Sequence, residues 1–190
     1  MPTTTGVELN LSPTRYSTDL SLRELRQAAL VHHYQGPIVG AYYATINYVA
    51  DVDRTVKEIS PSRFCATPKY ITLRLTLDQT IYIPRDFTGD NCLSSLARDH
   101  EGKHANAETS AVERLRPAFL SALRSAIRDN PSDSKPSAAE ALSALKKLIK
   151  SAIERVLDQI DTERARLNLA VDTSVEFEQL SHACEGRALQ

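Results

Sequence analysis

The pentapeptide His100-Glu101-Gly102-Lys103-His104 has the residue types and spacing of a metal-dependent hydrolytic site. On a helix, positions i and i+4 share one face about a turn apart, so two imidazoles there can grip one Zn²⁺ at Zn–N distances of about 2.0–2.1 Å. Glu101 would stand beside the ion, as general base toward a water and general acid toward a leaving amine. The chain has only five histidines, so two at this spacing are informative. The competing reading is a solvated helical turn, because Asp99, Lys103 and Asn106 flank the pair. Gly102 costs roughly 1 kcal/mol of helix propensity relative to alanine, which favours a packing or site reason for its presence.

Two histidines do not complete a catalytic zinc site, which takes three protein ligands and keeps one position open. The metzincin extension needs a histidine six residues after His104, and Ser110 stands there. Glu108 is the nearest carboxylate, but it lies about 12 Å along the axis from His100 at 1.5 Å per residue, too far for one straight helix to close on one ion. If the next helix packs antiparallel to the motif helix, the chain regains the level of His104 near residue 161. Asp158, Asp161 and Glu154 then become acidic candidates, although they also read as the wet face of an amphipathic helix. The remaining candidate is His182, in the C-terminal segment.

Periodicity gives the elements that must position these residues. After a polar leader over 1–20, Ser21–Val31 predicts a short helix, with Ser21 as N-cap and Glu24 completing a capping box. Val39–Ala50, rich in aromatic and β-branched residues, predicts a strand. In Lys69–Leu77, Ile71, Leu73, Leu75 and Leu77 alternate with polar residues, as in a half-buried strand. Asp78-Gln79 reads as a turn into a last strand, Thr80–Ile83, so that 21–90 holds a short helix plus a sheet. From Asn91 the apolar spacing changes to three and four, which predicts a long helix over 91–128, capped by Asp90 or Asn91 and kinked rather than ended at Pro117. Residues 129–137 read as a loop, 138–168 as a second long helix, and 169–190 as a C-terminal segment. The expected fold is one α+β domain over 1–190: a small antiparallel sheet on a long motif-bearing helix that forms an antiparallel hairpin with the second, a zincin-like arrangement.

Lys and Arg number 23 and Asp and Glu 24, a formal charge of −1 that offers no electrostatic case for nucleic acid or an anionic membrane. No apolar run reaches the roughly 18 residues that span a bilayer. The first twenty residues lack basic and apolar regions, so no signal peptide is expected in this chain, which leaves a cytoplasmic location open. Three cysteines fit one disulfide plus a thiol, and Cys65 and Cys92, flanking the strand-rich segment, form the candidate bridge in an oxidising compartment.

Tyr16, the LRELR run, Gln35-Gly36-Pro37, the alternating strands before Pro84, the HExxH helix, and Phe177-Glu178 with Ser181 and His182 fall in one order. In that order the chain resembles the bacterial DUF922 family, described as secreted zinc-dependent proteases. It departs where Gly102 and Lys103 reverse the family's usual order and where Ala183 follows His182. The resemblance implies export, and a site in which His182 joins His100 and His104 on Zn²⁺. The leading expectation is a zinc metallopeptidase acting on a protein or peptide, with Glu101 as base and acid. Lys69–Leu77 would dock an extended peptide, and a tyrosine or His32/His33 would face the oxyanion. The alternatives are a metal-stabilised binding protein without catalysis and a zinc amidase acting on cell-wall peptides.

Overall fold

The structure, a computed structural model, describes residues 3–31, 38–129 and 134–185; His32, His33 and Gln35-Gly36-Pro37 lie outside them. The elements are β1 (Thr4–Leu11), β2 (Arg15–Ser17), α1 (Leu22–Val31), β3 (Ala41–Ser60), β4 (Arg63–Tyr82), a 3-10 turn at Arg85–Phe87, α2 (Asn91–Asp129), α3 (Ala138–Val171) and α4 (Ser174–His182). Long helices and long strands together give the α+β class expected. The segment read as a polar leader is structured and supplies β1 and β2.

The sheet differs from the antiparallel one expected. β4 pairs with all three other strands, and β2 joins it in parallel, with Arg15, Tyr16 and Ser17 opposite Thr80, Ile81 and Tyr82. β4 also runs straight through Asp78-Gln79, where a turn was expected. The reason lies in the alternation: Leu77, Gln79 and Ile81 keep the phase of Ile71, Leu73 and Leu75, and all six are buried. Gln79 is tolerated there because its amide is satisfied. It accepts from the Tyr42 hydroxyl at 2.7 Å and donates to Thr109 Oγ1 at 3.3 Å. A strand paired this fully offers Lys69–Leu77 no free edge for a peptide. β3 pairs with β4 alone among the described strands.

Helix starts follow the capping chemistry of the sequence. Ser21 and Glu24 form the expected capping box, with Glu24 N–H to Ser21 Oγ at 3.3 Å and Ser21 N–H to Glu24 Oε2 at 2.7 Å. The Ser21 hydroxyl and the Ser21 N–H, both donating to Glu24 Oε2, hold the Glu24 carboxyl below its usual range. Asp90, rather than Asn91, caps α2 by accepting from the N–H groups of Cys92 and Leu93. α2 continues unbroken past Pro117 to Asp129.

The chain divides into two compact units. The first comprises Met1–Asn10, Asn47–Thr76 and Val112–Thr162; its buried residues include Ile71, Leu73, Phe119, Leu123, Ile153 and Ile160. Phe64 and Lys135 exchange backbone bonds of 2.8 and 2.9 Å there. The second comprises Leu11–Ile46, Leu77–Ala111 and Glu163–Gln190. Its core joins Val39, Ile81, Ile83, Phe87 and Leu180 to Leu93, Ala97 and Ala105 of α2. Two alanines on that face of α2 let the helix sit close to its neighbours, and the stretch between them carries the histidines.

The disulfide also differs from the expected one. Cys92 pairs with Cys184 across a sequence separation of 92, with Cα atoms 5.7 Å apart, and Cys65 is a buried free thiol. Proximity in sequence to the strand-rich segment misled, because Cys92 opens α2 in the second unit whereas Cys65 lies on the part of β4 assigned to the first. Denatured without reductant, the protein should titrate one thiol with a chromogenic disulfide reagent, rising to three after reduction. Three thiols before reduction would rule out this pairing.

Candidate metal centre

Helical spacing puts His100 and His104 on one buried stripe of α2, only 4% and 9% exposed. Their rings meet edge to face with centroids 5.0 Å apart. Opposite them, where α3 gives way to α4, stands Asp172. Its Oδ1 lies 3.5 Å from His100 Nε2 and 3.2 Å from His104 Nε2, and the three ligand atoms lie within 4.8 Å of one another.

The other ring nitrogens decide what these atoms are. His100 Nδ1 faces Glu176 Oε1 at 3.2 Å, and His104 Nδ1 faces Asn168 Oδ1 at 2.9 Å. Both partners are acceptors, so each Nδ1 carries the proton and donates it. In the neutral rings this turns both Nε2 lone pairs toward Asp172. Asp172 Oδ1 is buried and makes no hydrogen bond. Three electron-rich atoms therefore converge in a site largely shut off from water, an arrangement that is unfavourable without a cation or a proton among them.

A divalent ion fits this set. For metal–ligand bonds of about 2.0–2.2 Å, neighbouring ligands of a tetrahedron stand about 3.3–3.6 Å apart, close to the two distances observed. Without an ion, a proton is the available substitute. Burial pushes the His104 imidazole down, but Asp172, Asn168 and Glu101 together outweigh it and hold its pKa above the usual value. Burial dominates at His100 and holds it below the usual value.

Glu101 is 5% exposed. It packs against Gly40, where an added Cβ would come within 2.8 Å of Glu101 Cγ and 2.9 Å of the Tyr82 carbonyl oxygen, so the close approach requires glycine. Burial pushes the Glu101 carboxyl up to about 7, with Asp172 adding to the rise and His104 opposing it. Gly102 has no neighbour within 4 Å of where a Cβ would stand, so no packing reason holds it.

The structure brings His100 and His104 together, with Glu101 buried in the same turn, but the third member of the group is Asp172. His182 is exposed at the end of α4, outside the group. Asp158, Asp161 and Glu154 are exposed earlier on α3. Glu108 is fully buried one turn beyond His104, with Arg164 Nε 2.5 Å from its Oε2. The antiparallel pairing of α2 with α3 was anticipated, but residue 168, not 161, is level with His104. A count of equal rise runs about two turns short because it assumes helix ends that are flush at the loop. The missed signal is a four-residue rhythm: Arg164, Asn168 and Asp172 answer Glu108, His104 and His100 in reverse order.

No protein-family model, curated protein or solved structure matches this chain.

A folded-state pKa near 7 for Glu101 against an ordinary value of 4.5 means that the fold prefers the protonated acid. Its contribution is present in full below pH 4.5 and is lost as pH rises toward 7, by up to about 3 kcal/mol at 1.36 kcal/mol per unit. In urea denaturation of metal-stripped protein, Glu101→Gln should gain stability over wild type at pH 8 relative to pH 5. The histidines titrate in both proteins, so the difference reports Glu101 together with its coupling to His104. An equal gap at the two pH values would show that the carboxyl ionises freely.

Proposed function

We propose that this protein is a zinc-dependent peptidase whose ion is held by His100, His104 and Asp172, with Glu101 as the proton-transfer residue. The observation that carries the reading is Asp172 Oδ1, buried without a hydrogen bond and aimed with two oriented imidazoles at one point. Two nitrogens and one carboxylate oxygen form a donor set that zinc commonly takes in hydrolytic sites. A bound zinc ion polarises a carbonyl and acidifies a water. The remaining work falls to the chain's own groups. Glu101, in the turn of the ligands and titrating near neutrality, would carry a proton from a water to the leaving nitrogen. Glu176 and Asn168 hold the two imidazoles in register, and the ring proton each accepts fixes the nitrogen that faces the ion.

Assignment to the DUF922 family remains part of this proposal. So does an exported location, for which the Cys92–Cys184 bond speaks, since such crosslinks persist in oxidising compartments. The substrate would be an extended polypeptide, docked on β3 rather than on Lys69–Leu77. β3 begins immediately after Gly40, which touches Glu101, and among the described strands it pairs with β4 alone.

One observation favours a second reading, a metal that stabilises the fold without catalysis. Both histidines and Glu101 are buried, whereas catalytic sites keep a position open to substrate. The two readings separate experimentally.

Purified protein loaded with zinc and dialysed should hold about one equivalent by elemental analysis. Asp172→Ala and His104→Ala should each lose most of it, and His182→Ala should retain it. Loss in His182→Ala with retention in Asp172→Ala would reverse the ligand assignment. Glu101→Gln should keep its zinc and cut hydrolysis of a denatured-protein substrate by at least about 100-fold, the scale of general acid–base catalysis. Unchanged turnover in that variant would favour another catalytic group, and zinc-loaded wild type with no turnover on protein or cell-wall peptides would favour the structural reading.

A further inference from the structure

α4 is nine residues long, shorter than a helix needs to hold itself in water, and Leu180 alone among its residues is buried. Phe177 adds partial packing on the core of the second unit. Yet this weakly anchored helix supports the metal centre. Its first turn presents Glu176, which accepts from His100 Nδ1 at 3.2 Å and from Lys103 Nζ at 2.6 and 2.7 Å. Its N-cap, Thr173, directly follows Asp172 and accepts from Glu176 N–H at 3.2 Å. Beyond its other end, Cys184 is bonded to Cys92 in the first turn of α2. Cys184 and Glu185 have φ of 51° and 62°, in the left-handed region that side chains disfavour. A free chain would leave that conformation; a crosslink at Cys184 retains it.

We propose that α4 is a clasp on the metal centre, closed by the Cys92–Cys184 disulfide, and that Glu176 is the positioning residue through which closure reaches His100. The proposal rests on the reading of His100, His104 and Asp172 as a zinc site. With the disulfide formed, both ends of α4 are fixed to α2, at Lys103/His100 and at Cys92. With it open, the far end is released and Glu176 competes for water instead of holding His100. Lys103, the fourth residue of HEGKH, gains a role as the cation that draws Glu176 into place. Its side chain is half exposed, so the crosslink rather than the ion pair supplies most of the constraint. A dithiol opens the clasp. One thiolate attacks a disulfide sulfur, the other sulfur leaves and takes a proton, and the reagent's second thiol resolves the mixed disulfide. The protein gains two electrons and two protons while the dithiol closes to its own disulfide.

The test is zinc affinity, measured by competition with a chromophoric chelator at pH 7.5 in a Cys65→Ser background. Three forms are compared: oxidised, reduced and freed of reagent under argon, and a form in which Cys92 and Cys184 are both changed to Ser, which offers zinc no thiolate. The opened forms should bind zinc about 10–100-fold more weakly than the oxidised one, the range seen when a ligand's supporting partner is lost. Oxidised Glu176→Ala should show a loss of the same size, Glu176→Gln should recover part of it, and Glu176→Ala in the Ser/Ser form should add little. Zinc affinity within twofold on opening overturns the clasp alone, as does an unchanged affinity in oxidised Glu176→Ala, where the crosslink keeps the fold intact. An oxidised protein that binds no zinc overturns the metal reading and the clasp with it.

Discussion

The centre depends on one constraint: α2 and α3 run antiparallel with a four-residue stripe of each facing the other. His100 meets Asp172, His104 meets Asn168, and Glu108 meets Arg164. Each step of four residues advances both helices by slightly more than one turn, so a match made at one level recurs at the next. The register brings an acceptor or a cation opposite every buried polar group of the α2 stripe. A slip of one residue would turn Asn168 and Arg164 away and leave two imidazoles and a carboxylate buried without partners, a cost of several kcal/mol. Polar groups thus set the register here, while Ala97 and Ala105 on the neighbouring face only permit the approach.

How much of this could be read from the sequence depends on whether the information was local. The HExxH turn, the capping box of α1, the alternation in β4 and the change of period at Asn91 are each written within a few residues, and each was readable. The third member of the cluster was not, because it depends on helix–helix register over more than sixty residues, and a short error in counting across the loop shifts every pairing. An acidic residue on the second helix was among the expectations, so the chemistry was closer than the position. His182 drew attention because it is a histidine, whereas Asp172, within the segment read as C-terminal, drew none. The same non-locality hid the disulfide: Cys184 follows a helix whose place against α2 no periodicity reveals. The turn expected at Asp78-Gln79 failed for a different reason. Polar residue type was weighted above phase, yet Gln79 keeps the inward phase and is paired by Tyr42 and Thr109.

Charge accounting around the centre carries the synthesis one step further. Lys103 offsets Glu176, and Arg164 offsets Glu108. Asp172 then remains as the carboxyl facing the two Nε2 atoms, and Glu101 as a second one buried in the same turn, neither with a lysine or arginine contact among the described residues. At neutral pH a dication would cancel the two formal charges, and a monovalent proton on His104 would cancel one. Burial makes that difference matter, since an uncompensated charge in a low-dielectric site costs far more than on the surface. Burial is the first cause of the upward shift of Glu101, with Asp172 adding to it and His104 opposing it, so near neutrality the acid retains a proton. Binding of a dication would remove the need for that proton and lower the Glu101 pKa, so proton release and metal uptake at this centre are linked. In the proposed zinc site, a carboxyl that gave up this proton on ion binding would be placed to accept one from a water.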